Sequence, residues 1–277
     1  MRKYKLPIGE IGRLYYGRGL SQQAIADRFG ISQWVICHRM KEEGWKALDK
    51  TRRFNPRKYK IDHNAFSKLD NKAAWLLGWL SSDGYTRPSG VVGLKVSLKD
   101  KDIVEKLRNY LCYTGPLHIR RQFLEKTNKT YMQISLEATS RNIVERLAGF
   151  GIVPNKSLTL KFPAIIIKSG NEEIIRNYLR GLFEGDGSLL VERRSSLLFQ
   201  IVGTYDVCVG AQSCLIKYLG VSKTKLTNNI TGKNHYALRY RGRLQVLKIM
   251  DWLYKKAYNN VLERKYRKHL LIKEEFA

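Results

Sequence analysis

The 277-residue chain sets 51 Lys and Arg against 24 Asp and Glu, a formal charge of +27, and its 43% hydrophobic content is that of a folded protein with a sizeable core, which excludes a disordered tail. No apolar run reaches the roughly 18 residues that cross a bilayer, and Met1-Arg2-Lys3-Tyr4-Lys5 lacks the apolar stretch of a signal peptide, so a cytoplasmic, nucleoid-associated protein is expected. Such an excess of positive charge asks for a polyanion, and the basic residues lie among Tyr, Trp and Gln without forming one basic amphipathic helix, which favours nucleic acid over a membrane surface.

Residues 1–45 read as a small all-α unit. Ser21 is suited to cap a helix carrying Ala24, Ile25 and Phe29, Gly30 breaks it, and Ser32 opens a second helix with Ile36 and Met40 inward. Gln33, Trp34, Cys37 and His38 then face outward. Two short helices about a glycine turn fit a helix-turn-helix, with Gln33 and His38 at base edges, Trp34 also on the DNA-binding side, and Arg39 and Lys41 at phosphates; a helical hairpin that only packs on the rest of the protein fits the same pattern. The four cysteines, Cys37, Cys112, Cys208 and Cys214, show no Cys-x-x-Cys spacing and are expected as buried free thiols.

Residues 46–61 are a basic linker containing Arg52 and Arg53, with Pro56 against any helix. The segment suits either a solvated spacer or a strand of charge along DNA. The rest divides into residues 62–168 and 169–277, which repeat one order of elements. In the first, strands near Tyr85 and over 91–98 precede a helix over 101–111, a hairpin of 117–124 and 131–136 turning at Thr127-Asn128-Lys129, and a helix over 140–149. In the second, strands over 188–192 and 197–203 precede a helix over 206–219, a hairpin of 223–230 and 235–241 turning at Gly232, and a helix over 244–255. Asp186 follows Asp83 by 103 residues, Asp206 follows Asp100 by 106, and Lys265 follows Lys156 by 109, the slow drift of a duplication whose loops gained a residue or two.

Each repeat opens on the same stretch: Leu76-Leu77-Gly78-Trp79-Leu80-Ser81-Ser82-Asp83-Gly84, and Leu179-Arg180-Gly181-Leu182-Phe183-Glu184-Gly185-Asp186-Gly187. A glycine in the third place lets two such helices approach closely, which brings Asp83 and Asp186 together. A carboxylate is unfavourable at a helix C-terminus, so two of them there point to a cation. Mg²⁺ takes a few carboxylate oxygens and completes its shell with water and substrate phosphate.

These two motif copies, with the same elements after each, resemble the monomeric, two-motif LAGLIDADG homing endonucleases over roughly Asp62 to His269. The stretch from Asp62, with Phe66 and Ala73-Ala74-Trp75, looks like the approach to the first motif in members that carry an N-terminal helix-turn-helix. The resemblance implies an α+β fold of two pseudo-twofold αββαββα units with saddle-shaped antiparallel sheets. It implies that Asp83 and Asp186 bind two or three Mg²⁺ ions, joined by the backbone carbonyls of Ser82 and Gly185, and that Lys156 and Lys265 are the basic residues beside each site. It further implies a site-specific double-strand DNA cut with 3′ overhangs, made by a monomer on a long asymmetric target.

Within that fold the outward polar strand residues would read bases: Lys95, Ser97, Arg120, Gln122 and Gln133 in the first sheet, Gln200, Arg239 and Arg241 in the second. Alternating polar residues are also simply the wet face of a sheet. Ser81 departs from the motif, where an acid is usual and the second copy has Glu184, so equivalence of the two half-sites is in question. No starting cysteine or closing His-Asn pair marks an intein, so the resemblance is to freestanding or intron-encoded members. A non-cleaving DNA-binding regulator, an intron-RNA maturase and a nickase are the competing expectations.

Overall fold

The computed structural model describes residues 7–46, 48, 59–125, 128–192, 196–228 and 233–276. Arg52, Arg53 and nearly all of the basic linker, Thr127 of the first hairpin turn, and Ile230 and Gly232 of the second lie outside the described residues. The chain separates into two compact units, residues 1–58 and 59–277.

In the first unit, helix α1 (Ile8–Gly12) runs into a π-helical turn (Arg13–Gly17), neither of which the sequence reading anticipated. Helix α2 (Gln22–Phe29) is capped as expected: Ser21 Oγ accepts from Ala24 N at 3.1 Å, and Gly30 closes the helix in the left-handed region at φ 62°. Helix α3 (Gln33–Glu42) also starts where expected, but Ser32 makes no side-chain cap bond. Ile36 and Met40 join Ile11, Leu14, Tyr15, Ile25 and Ala26 in a core separate from that of the second unit.

The second unit is α+β, a duplicated αββαββα chain. Helix α4 (Asn71–Ser82) starts on Asp70, whose Oδ1 accepts from Ala73 N at 2.7 Å, and is buried on every side from Ala73 to Ser81. That burial explains why its apolar residues show no amphipathic stripe. It is followed by β1 (Gly84–Arg87), β2 (Val91–Ser97), α5 (Lys101–Tyr110), β3 (His118–Leu124), β4 (Lys129–Thr139) and α6 (Arg141–Gly149). After a short helix α7 (Ala164–Lys168), α8 (Glu172–Asp186) opens the second repeat on an Asn171 cap. The repeat continues as β5 (Gly187–Val191), β6 (Leu197–Gly203), α9 (Tyr205–Leu219), β7 (Thr227–Asn228), β8 (Tyr236–Arg241) and α10 (Arg243–Tyr254), and α11 (Glu263–Phe276) ends the described chain.

Each repeat builds a four-stranded antiparallel sheet of the same order, β1-β2-β4-β3 and β5-β6-β8-β7. In the first, Val92, Leu94, Val96, Ile134, Leu136 and Ala138 face inward and join Ile103, Val104 and Leu107 of α5 in one core. The two motif helices run parallel. Asn71 Nδ2 donates to Glu173 Oε2 at 3.2 Å near their starts, and Ser82 meets Gly185 at their ends. Between these points a Cβ on Gly78 would fall 2.2 Å from the Tyr178 carbonyl oxygen, and one on Gly181 2.0 Å from that of Trp75. Any side chain at either position would force the backbones apart.

Three expectations are corrected. Among the described residues, the strand expected over 223–230 pairs at Thr227–Asn228 and not over 223–226, because Gln212 Nε2 of α9 binds Thr224 O at 2.8 Å and its Oγ1 at 3.1 Å, which draws that segment onto the helix. The strand expected over 131–136 extends across 129–139 and pairs along its length with β2 and β3. Of the four free cysteines only Cys208 and Cys214 are buried; Cys37 lies on the outer face of α3, and Cys112 occupies the turn after α5 at φ 47°.

Candidate active site and nucleic-acid interface

Asp83 caps the C-terminus of α4 and Asp186 is the last residue of α8, so the parallel packing sets both carboxyls at one end of the seam. Asp83 reaches over the other motif: a Cβ on Gly185 would lie 3.1 Å from its Oδ2 and 1.9 Å from Ser82 Oγ. Here the motif requires a glycine for close approach and has one.

Both lysines named from the sequence lie beside this end. Lys156, buried in a 3₁₀ turn (Lys156–Leu158) after the left-handed Asn155, donates its Nζ proton to Ser82 O at 3.1 Å. Lys265, in the first turn of α11, donates to Phe183 O at 2.9 Å and Gly187 O at 2.7 Å. The two are matched in sequence but not in geometry. Ser82 corresponds to Gly185, whereas Lys265 grips the carbonyls on either side of it.

The charges act on one another. Burial, followed by the charge of Asp186, pushes the Asp83 carboxyl up to about 6, against the pull of Lys265 and Lys156. Asp186 is also raised by burial, with Lys156 and Lys265 opposing. Its side chain is exposed at the surface, so this rise comes from protein standing around the helix end and not from a sealed pocket. Burial lowers Lys156, against Asp186 and Asp83, and takes Lys265 down to about 8, against Glu184, Asp100 and Asp186. Two carboxyls held above their ordinary range by burial, and one further by its neighbour's charge, are a pair that a divalent cation would ionise.

The residues fit such an ion. The helix ends bring two carboxyls and backbone oxygens together, a set suited to Mg²⁺ with water and phosphate filling its shell; among the described residues no group of three or more His, Cys, Asp and Glu is placed to hold a metal. Ser82 O already takes the Lys156 ammonium, so an ion there would share or displace that bond.

The Ser81 departure has a structural counterpart across the seam. Tyr178 on α8 donates its hydroxyl to Ser81 Oγ at 3.1 Å, and Trp75 on α4 donates its indole N–H to Glu184 Oε2 at 2.7 Å, with Trp79 Nε1 at 3.3 Å from the same oxygen. Trp75 and Tyr178 hold matching places in the repeats. A phenol reaches a serine, while an indole needs the longer glutamate. The sequence showed the asymmetry at Ser81 but not its partner.

On the outer face of the first sheet, Ser97, Gln133 and Arg120 share one row across β2, β4 and β3, and Lys95 lies in the next row opposite Ser135. Gln122 stands opposite Tyr131 on that face. Glu137, which the sequence reading passed over, is on it too, accepting from Tyr85 Oη at 2.5 Å and Arg87 Nη2 at 2.9 Å. In the second sheet Ser188, Gln200 and Arg239 form a row across β5, β6 and β8, the place that Tyr85, Gly93 and Glu137 hold in the first, with Arg239 Nε donating to Gln200 Oε1 at 2.7 Å. Arg241 is paired with Glu192 at 3.1 Å. In the first unit Gln33, Trp34 and His38 are exposed on α3, the last two rings stacked at 4.9 Å, while Arg39 is bound to Glu42 at 2.9 Å.

No protein-family profile and no curated protein matches the chain. Among solved structures it is similar to the LAGLIDADG meganuclease I-CpaMI bound to uncleaved DNA, at 13% identity and a TM-score of 0.46 over 73% of this chain and 89% of that one. It is similar also to the N-terminal LAGLIDADG domain of WhiA (16%, TM-score 0.45, 68% and 83%) and to the homing endonuclease I-WcaI bound to its DNA recognition sequence (14%, 0.44, 72% and 83%). On its own topology, two parallel glycine-seamed helices each opening an αββαββα unit, the fold is LAGLIDADG-like.

Proposed function

We propose that the protein is a site-specific, Mg²⁺-dependent DNA endonuclease that hydrolyses one phosphodiester on each strand. The observation that carries this reading is the placement of Asp83 and Asp186 at adjoining ends of two parallel helices, between Lys156 and Lys265. A bound Mg²⁺ supplies an activated water and neutralises charge on the phosphate. Asp83 and Asp186 would hold the ion, joined by the backbone oxygens of Ser82 and Gly185. Lys156 and Lys265 supply positive charge for the developing oxyanion, and burial holds both below the ordinary lysine value, Lys265 at about 8. The two polar sheet faces, around Ser97-Gln133-Arg120 and Ser188-Gln200-Arg239, contact bases and phosphates, and α3 adds contacts through Gln33, Trp34 and His38. Two motifs in one chain supply both sites, so a monomer suffices. The motif resemblance adds the expectation of 3′ overhangs.

One observation favours a second reading, binding without cutting, as a regulator or an intron-RNA maturase: the Ser82 carbonyl is taken by Lys156. The test incubates the protein with the DNA flanking its own reading frame, uninterrupted and interrupted, with Mg²⁺ or EDTA. Metal-dependent cleavage that Asp83→Asn abolishes supports the nuclease. Tight binding with no cleavage under any condition supports the second reading, and full activity of Asp83→Asn overturns the role given to that carboxylate.

A further inference from the structure

The aspartates at the starts of α5 and α9, Asp100 and Asp206, matched across the repeats in sequence but have no part in the chemistry above. Each binds the lysine-bearing segment of the other repeat. Asp100, buried in the first repeat, takes Arg264 in a two-pronged ion pair, Nε to Oδ1 at 2.8 Å and Nη2 to Oδ2 at 2.9 Å. Arg264 immediately precedes Lys265. Two further bonds from the first repeat reach the same segment: Asp102 Oδ2 accepts from Glu263 N at 3.4 Å, and Lys106 Nζ donates to Val261 O at 2.6 Å.

The reverse holds for Lys156. The segment that follows it is tied to the second repeat at three points: Asn234 Nδ2 donates to Leu158 O at 2.9 Å, Thr204 Oγ1 to Leu160 O at 2.6 Å, and Phe162 N to Asp206 Oδ1 at 2.7 Å. Each lysine nonetheless points back at its own repeat's helix end, Lys156 at Ser82 and Lys265 at Phe183 and Gly187. An ammonium on a flexible four-carbon stem is fixed only as well as its backbone is.

Resting on the nuclease reading, we infer that Asp100 and Asp206 are positioning residues in exchange, Asp100 of the first repeat seating Lys265 and Asp206 of the second seating Lys156. Loss of either then disables the lysine that belongs, by chain order, to the opposite repeat. Each active site is held in register by the half that does not contain its lysine.

The test uses the full chain with each strand of the DNA flanking its reading frame labelled separately, plus mapping of lysine acylation by an amine-reactive ester. Asp100→Ala is expected to slow the same strand cut as Lys265→Met, by up to about a hundred-fold, and Asp206→Ala the same cut as Lys156→Met. Arg264→Gln, at a largely exposed position, repeats the Asp100→Ala pattern without emptying a buried site, and Asn234→Ala leans the same way as Asp206→Ala. Acylation of Lys265 rises several-fold in Asp100→Ala while Lys156 stays as in the wild type, and the reverse holds in Asp206→Ala. Equal slowing of both strands, or acylation of the two lysines that moves together or not at all, overturns the inference. If the wild type cuts neither strand, the nuclease reading falls, and the acylation pattern alone still decides whether the cross-anchoring is real.

Discussion

Gly181 lies so close to Gly78 that a Cβ built on it would stand 3.1 Å from the Gly78 Cα and 2.0 Å from the Trp75 carbonyl oxygen. The atoms it would strike belong to backbone, which cannot rotate away.

Gly181→Ala should therefore destabilise the second unit by about 3 kcal/mol or more, toward the upper end of overpacking costs. Denaturant unfolding measures it. An effect below about 1 kcal/mol would show that the helices separate at little cost, and that the seam does not fix the spacing of Asp83 and Asp186.

Asp83 gives the pH dependence. Its carboxyl rises from the ordinary 3.8 to about 6 in the folded chain, so the folded state holds the proton more tightly than the unfolded one. The stability this confers is complete below the ordinary value and lost as pH rises through about 6. In metal-free protein Asp83→Asn should therefore be more stable than wild type at pH 7.5, on the order of 2 kcal/mol, with the two converging near pH 4. Mg²⁺ should stabilise the wild type and leave the variant unmoved. Denaturant midpoints across pH, with and without metal, check both parts.

Glu184 accepts from two buried indoles. Glu184→Ala leaves both N–H groups without an acceptor and should cost about 2 to 5 kcal/mol, whereas Glu184→Gln keeps an oxygen in place and should cost about 1. Calorimetry on both variants separates acceptor loss from charge loss, and equal losses would contradict the pairing.

The first unit has its own core, so a chain lacking residues 1–58 should keep the second unit folded. Its DNA affinity should fall less steeply with salt than that of the full chain. Metal-dependent cutting at saturating protein should persist. Loss of cutting under those conditions would mean that the N-terminal unit takes part in more than binding.

Much of this was legible in the sequence, for reasons that can be named. The Gly78 and Gly181 spacing, the Asp-Gly ends and the drifting offset reflect a fold whose central contact is local in each repeat, so each copy carries its own half of the signal. What was missed depends on residues far apart in the chain. Helix α11 buries His269, Ile272 and Phe276 but leaves Leu270 and Leu271 exposed, which blurs its apolar stripe, and its start is held by Asp100, Asp102 and Lys106, over 150 residues away. The lysines were found by position, but their unequal partners follow from how two segments dock. Arg39 and Arg241 are expected from the sequence at phosphate and at bases, and their pairing with Glu42 and Glu192 was not legible because it arises only once the helix and the sheet form.

The crossed pairing of Tyr178 with Ser81 and Trp75 with Glu184 makes each repeat unable to serve as its own partner. Two copies of the first would set Trp75 and Trp79 of each copy opposite a serine too short to reach them, leaving four buried N–H groups stranded. Two copies of the second would set a long acid against a phenol at each crossing, crowding a site that now holds a serine and adding a second buried carboxyl. The two halves complement each other and not themselves at this seam, so exchanging one half for the other should fail in the helix seam before any question of DNA arises.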